Sequence, residues 1–156
     1  MKLSSQDNAS LCSDSPCIID APALITYLEG TPKGQVIQRI MEQTHTRGAR
    51  IRITALDMAQ VYLKGITEHP DSFAELLALL DQLPIQVEAV TRETALEAAK
   101  LLAGHQGLEL GAALSVYLAR TSDGTLITSN PAVRQNDLLP TGRIVYVGVG
   151  DNAGSG

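Results

Sequence analysis

Apolar positions along the chain form two patterns, short unbroken runs and stripes at helical spacing, and the two alternate from one end to the other. The first run, Cys17-Ile18-Ile19, ends abruptly at Asp20, so residues 16–20 read as a buried strand. Leu24, Ile25 and Leu28 then recur at helical spacing over 21–29, until Gly30, Thr31 and Pro32 close the helix. A second helix over 33–46 carries Val36, Ile37, Ile40 and Met41 on one face, and Gly48 ends it. Ile51 and Ile53 alternate with charge over 50–54, as in a strand less completely buried than the first.

The helix over 55–66 sets Leu56, Ala59 and Leu63 on one side, with Asp57 and Gln60 one turn apart on another. A helix over 70–83 opens on proline, turns Phe73, Leu76, Leu77 and Leu80 inward, and stops at Pro84. Ile85, Val87 and Val90 alternate as a third strand, and Thr91 caps a helix whose inner face is Leu96, Ala99, Leu102 and Ala103. Gly104 and Gly107 lead to a helix over 109–120 with Leu110, Leu114 and Tyr117 at core spacing. Asp123-Gly124 is a turn, 125–128 a short strand, Asn130-Pro131 a cap followed by a first-turn proline, and 144–147 the last strand.

Five strands alternating with helices, several of them nearly continuous in apolar residues, imply an α/β fold with a parallel sheet covered on both faces. Right-handed crossovers bring the carboxyl ends of all the strands to one edge, where Asp20, Thr54, Thr91 and Thr128 arrive. The pattern divides the chain into a flexible leader over 1–15, one domain over 16–148 and a glycine-rich mobile tail over 149–156.

Composition narrows the function classes. The chain is 44% hydrophobic and 19% charged, and no apolar run approaches the ~20 residues that span a bilayer, so no membrane role is expected. The first fifteen residues lack the apolar core of a signal peptide, which points to the cytoplasm. Cys12 and Cys17 are too few for a disulfide framework and have no further cysteine beside them for a metal. A net charge of −5 argues against broad, non-specific attraction to nucleic acid. Arg47, Arg50 and Arg52 form a local basic cluster, read either as phosphate contacts or as solvated charge before a strand.

Among single residues, Asp20 carries the most. A carboxylate at the carboxyl end of a strand is a ligand group in open α/β sheets, while Asp before Ala21-Pro22 is equally a helix N-cap, and one side chain can fill both roles. The turn after the first strand has no glycine, which disfavours pyrophosphate binding. His45, His69 and His105 are isolated along the chain and read as loop or helix-end residues, and Ser115 and Tyr117, without a base or orienting partner, as packing or helix-surface residues. Asp123 and Asp137 read as a turn residue and a solvated loop charge.

The order of elements and four strings resemble the PIN domain family, the metal-dependent RNases that include VapC-type toxins of bacterial toxin–antitoxin pairs. The strings are Ile18-Ile19-Asp20-Ala21; residues 53–62, ITALDMAQVY; residues 108–114, LELGAAL; and residues 125–130, TLITSN. The resemblance implies a three-layer α/β/α sandwich around a central, mostly parallel five-stranded sheet. It also implies three or four acids at the carboxyl edge holding Mg²⁺ or Mn²⁺, a cation that wants several oxygen ligands and activates water against a phosphodiester.

Carried over position by position, the first acid falls on Asp20, the second on Gln60, the third on Ala112 and the fourth on Asn130. Pro22 stands where a small polar residue often follows the first acid. Asp57 and Glu109, each three residues before a lost acid, are the candidate substitutes, though a one-turn shift is ~5 Å along a helix. The resulting expectation is a degenerate PIN fold that binds no cofactor and acts as a binding or oligomerisation module. Its partners would be a second copy, an antitoxin-like or other protein, or RNA. The other reading is a VapC-type, Mg²⁺- or Mn²⁺-dependent endoribonuclease built on Asp20 with relocated acids, in which Thr128 and Asn130 order water or phosphate.

Overall fold

The structure, a computed structural model, describes Cys12 and residues 15–148; the expected leader, apart from Cys12 and Ser15, and the expected tail lie outside the described residues. Five strands form one sheet: β1 (Cys17–Ile19), β2 (Ile51–Thr54), β3 (Ile85–Glu88), β4 (Thr125–Thr128) and β5 (Ile144–Tyr146). All neighbours pair in parallel, in the order β3-β2-β1-β4-β5, with Ile18 opposite Arg52 on one side and Cys17 opposite Thr125 on the other. The helices among the described residues are α1 (Ala21–Leu28), α2 (Gln35–Thr46), α3 (Ala55–Glu68), α4 (Phe73–Gln82), α5 (Arg92–Gly104), α6 (Leu110–Ser122) and α7 (Pro131–Gln135). None of them is long and apolar enough to cross a membrane.

The pleat explains why both faces are dry. Successive side chains of a strand point to opposite faces, so Cys17, Ile19 and Ile127 enter one core while Ile18 and Leu126 enter the other. The first core is closed by Leu24 of α1, Ile37 and Ile40 of α2, Met58 and Val61 of α3 and Leu80 of α4. The second is closed by Ala98 and Leu101 of α5, Leu114 and Val116 of α6 and Val133 of α7. Helices on both faces of a parallel sheet make the three-layer α/β/α sandwich that the strand pattern and the resemblance imply.

Several helices are rotated from the expected faces. In α3 the buried stripe is Asp57, Met58, Val61 and Gly65, while Leu63 is 60% exposed. In α5 it is Ala98 and Leu101, with Leu96 exposed. Only Leu80 of the expected face of α4 is buried, and Leu110 stands exposed at the start of α6. Helix α2 begins at Gln35, because a 3₁₀ turn over Pro32–Gly34 precedes it. Strand β3 is an edge, which leaves Val87 in solvent. Asp123 and Asp137 both adopt left-handed turn conformations, with φ of 54° and 51°.

Candidate functional site

Strands β1, β2 and β4 deliver Asp20, Thr54 and Thr128 to the same edge of the sheet, and each begins a connection to a helix. Asp20 is the N-cap of α1: its backbone is extended and its Oδ1 accepts the amide of Ala23 at 2.9 Å. Its Oδ2 accepts the hydroxyl of Thr128 across the β1–β4 pair. Thr128 Oγ1 in turn accepts the amide of Asn130 at 2.9 Å, and Asn130 Oδ1 accepts the amide of Ala132 at 2.9 Å as the N-cap of α7. A continuous run of hydrogen bonds thus links the start of α1 to the start of α7. Of the two roles open in the sequence, the structure shows Asp20 filling that of the cap, at the edge where the strands end.

Asp57 lies beside it. Thr54 caps α3 by accepting the Asp57 amide at 3.1 Å, which places the carboxylate in the first turn, where the helix dipole favours it. Asp57 Oδ2 accepts the hydroxyl of Ser115 at 2.6 Å, and the carboxylate also accepts the Ala21 amide. The start of α6 closes tightly on this group. A Cβ at Gly111 would stand 2.7 Å from Asp57 Oδ1 and 3.4 Å from Gln60 Oε1, so the approach depends on the missing side chain.

Burial dominates the electrostatics. Asp20 and Asp57 are 2% and 1% exposed. Loss of hydration pushes Asp20 up to about 7, against the pull of its Thr128 and Ala23 bonds, and the Asp57 charge adds to the rise. Asp57 is pushed up to about 6, chiefly by burial, opposed by Ser115, Ala21 and Thr54 and assisted by the charge of Glu109.

The edge therefore gathers Asp20, Asp57, Thr128 and Asn130, with Gln60 exposed at its mouth. Ala112 is buried and offers no donor atom. Glu109 is the exposed N-cap residue of α6, makes no side-chain cap bond, and reaches the site only through its charge on Asp57.

A hard divalent cation asks for about six oxygens, several of them carboxylate. Here two carboxylates stand close, each already accepting hydrogen bonds from the chain's own donors, and the amide oxygen of Asn130 holds a helix end. Among the described residues no group of three or more His, Cys, Asp or Glu side chains is placed to hold a metal. The donor set falls short of a multi-carboxylate cation site.

The role of Ser115 differs from the sequence reading, which gave it no partner. It is fully buried and bonds Asp57, from which it is separated by 58 residues, a distance that no local pattern reveals. The available signal was its position one turn beyond Gly111, within the run of small and apolar residues that α6 buries. The histidines lie where expected: His69 and His105 cap the ends of α3 and α5, and His45 is in the last turn of α2. The arginine cluster is elsewhere. Arg47 and Arg50 precede β2, at the end of the sheet away from Asp20, and line a depression with Ser15, Pro16 and Gln86.

Comparison with known proteins adds three findings. The family model of the PIN domain matches residues 17–138. A solved structure described as a toxin-antitoxin complex from Klebsiella pneumoniae is similar with a TM-score of 0.59 and 16% identity, over 84% of this chain and 97% of that one. That identity supports likeness of fold alone. No curated protein matches the sequence significantly.

Proposed function

This chain belongs to the PIN domain family, and from that premise we propose that it works as a catalytically degenerate binding or oligomerisation module in the cytoplasm. The observation that carries the reading is the shortage of carboxylates at the carboxyl edge, since among the described residues no group of three or more His, Cys, Asp or Glu side chains is placed to hold a metal. Asp20, Asp57 and Asn130 accept hydrogen bonds from Ala23, Thr128, Ser115 and Ala132, so the oxygens that would hold a cation hold the fold together. Gln60, Ala112 and Asn130 stand at the other positions where the family pattern has acids.

A protein partner fits this reading. A groove of about 650 Å³ between α1, α3 and α4, lined by Ile25, Val61, Leu76 and Leu79, offers apolar surface. The similar structure is of a toxin-antitoxin complex, which makes an antitoxin-like protein the first partner to test, followed by a second copy of the chain. RNA is a weaker candidate, given the net charge of −5.

The deciding experiment is the unfolding midpoint with and without millimolar Mn²⁺, for the native chain and Asp20→Ala, together with hydrolysis of single-stranded RNA. A ligand at ~100-fold saturation stabilises by about 2.7 kcal/mol. The module reading expects no metal-dependent rise and no hydrolysis. The proximity of Asp20 and Asp57 favours the second reading, a reduced ribonuclease site, and that reading expects a rise that vanishes in Asp20→Ala.

A further inference from the structure

Toward the amino end of the sheet, a charge stands where the fold calls for an apolar side chain. Strand β2 runs between β1 and β3, and its alternation sends Ile51 and Ile53 into the core on the α1–α4 face. The residue between them points to the other face, which in a parallel sheet is ordinarily dry. Here that residue is Arg52, opposite Ile18 on one neighbouring strand and Gln86 on the other. The sheet is uncovered at this place: a depression of about 450 Å³ opens beside Arg52, and no residue of α5, α6 or α7 lines it. Arg47, Arg50, Ser15 and Gln86 complete its polar wall.

The charge around this depression is poorly balanced. Arg50 donates Nη1 to the Ile85 carbonyl at 3.2 Å, a neutral acceptor, and makes no ion pair among the described residues. Arg52 Nε lies 3.8 Å from Glu88 Oε2, an oxygen that already accepts Gln86 Nε2 at 2.8 Å. Arg47, held through Nη2 by the Cys12 carbonyl at 3.0 Å, adds a third guanidinium to the wall. No Asp or Glu among the described residues lines the depression, although the chain as a whole carries a net charge of −5.

We propose that this depression is an anion site for a compact diphosphate, either free pyrophosphate or the diphosphate end of a nucleotide. Guanidinium forks pair with phosphate oxygens through parallel N–H···O bonds, and neighbouring forks divide the oxygens of two adjoining phosphates between them. A volume of about 450 Å³ is that of a small-ligand pocket. No aromatic side chain lines it, so it offers no platform for a base, and recognition rests on the phosphates. Glu88 is the resident competitor: its carboxylate neighbours Arg52 until an anion of higher charge takes the fork. The site shares no residue with the carboxyl edge, so it does not depend on what that edge binds.

The test is calorimetric titration of the full chain with sodium pyrophosphate, with ADP and with single-stranded RNA, at about 50 mM salt, where screening is weak. Saturable one-to-one binding of pyrophosphate is expected. Arg50→Gln and Arg52→Gln should each weaken it roughly fivefold or more, and Glu88→Gln should tighten it roughly twofold. Arg39→Gln removes an equal charge from an exposed position outside the depression and should leave binding unchanged. Amide resonance shifts of the native chain, centred on residues 47–52 and 86, locate the site even if a variant folds poorly. ADP binding as tightly as pyrophosphate supports the nucleotide as a source, and pyrophosphate binding without ADP supports the free anion. The proposal is overturned if neither diphosphate binds saturably, or if binding survives both arginine substitutions. RNA binding where neither diphosphate binds would overturn it as well, by making the face a polymer interface.

Discussion

Asp20 and Thr44 are opposite cases of a polar group placed out of water. Asp20 has donors for both of its oxygens and still carries a desolvation penalty, because its ionised form is buried 2% exposed beside Asp57. Asp20→Asn keeps an oxygen to cap α1 and removes the charge, so it should raise stability at pH 8 by roughly 1–3 kcal/mol in chemical denaturation. Asp20→Ala loses the cap as well and should forfeit about 1 kcal/mol of that gain. Ser115→Ala acts in the other direction. It leaves Asp57 Oδ2 without its hydroxyl donor, costs about 1–3 kcal/mol, and lifts the Asp57 titration above its present value near 6. That lift is measurable from the carboxyl carbon resonance of Asp57. Thr44 is simpler: its hydroxyl is buried without a partner among the described residues. Thr44→Val keeps the shape, removes the orphan, and should add about 1 kcal/mol to the unfolding free energy.

Between elements, the contacts that matter are those where a side chain is missing. At Gly34, the last residue of the 3₁₀ turn that precedes α2, a Cβ would stand 2.9 Å from the Tyr27 Cα of α1 and 3.1 Å from the Thr26 carbonyl oxygen. Both neighbours are backbone and cannot step aside, so Gly34→Ala should cost about 1–3 kcal/mol despite the better helix propensity of alanine. A denaturation midpoint lowered without a change in m-value would confirm it. The same reasoning shows how much could be read in advance. The existence and order of strands and helices were legible, because a dry parallel sheet demands unbroken runs such as Cys17-Ile18-Ile19 separated by helical stripes. The rotation of α3 and α5 was not. Stripes 56/59/63 and 58/61/65 both repeat at helical spacing, and the burial of the second follows from Asp57 finding donors on α1 and α6, partners far away in sequence. Asp20 and Thr128 could be assigned to one edge; their hydrogen bond, and the engagement of Asn130 as a cap, needed the sheet order and the helix starts.

Across the whole molecule, the two buried acids make stability depend on pH in a direction opposite to that of salt-bridged carboxylates. Both are raised from an ordinary value of 3.8, Asp20 to about 7 and Asp57 to about 6. Between those limits the unfolded chain has released protons that the folded chain still holds, so folding takes protons up and stability grows as pH falls from about 7 toward 4. Above pH 7 both states are ionised and the full penalty applies. Denaturation at pH 8 and pH 5 should therefore show a smaller gain on acidification for Asp20→Asn than for the native chain. An identical pH dependence in the two proteins would show that Asp20 ionises in the folded state as it does in the unfolded one.

The sheet order also sets a timetable. Strand β1 is central, and the chain moves outward from it to β2 and β3 before returning to lay β4 against its other side, with Cys17 opposite Thr125. As the chain emerges during synthesis, β1 to β3 can pair early, while Ile18 and Ile19 remain on an uncovered strand edge until more than a hundred further residues have appeared. That edge has the features of an aggregation-prone template, apolar and unpaired. The Asp20–Thr128 bond is among the last contacts to become available, so the edge where the two acids lie can be completed only when folding is nearly over.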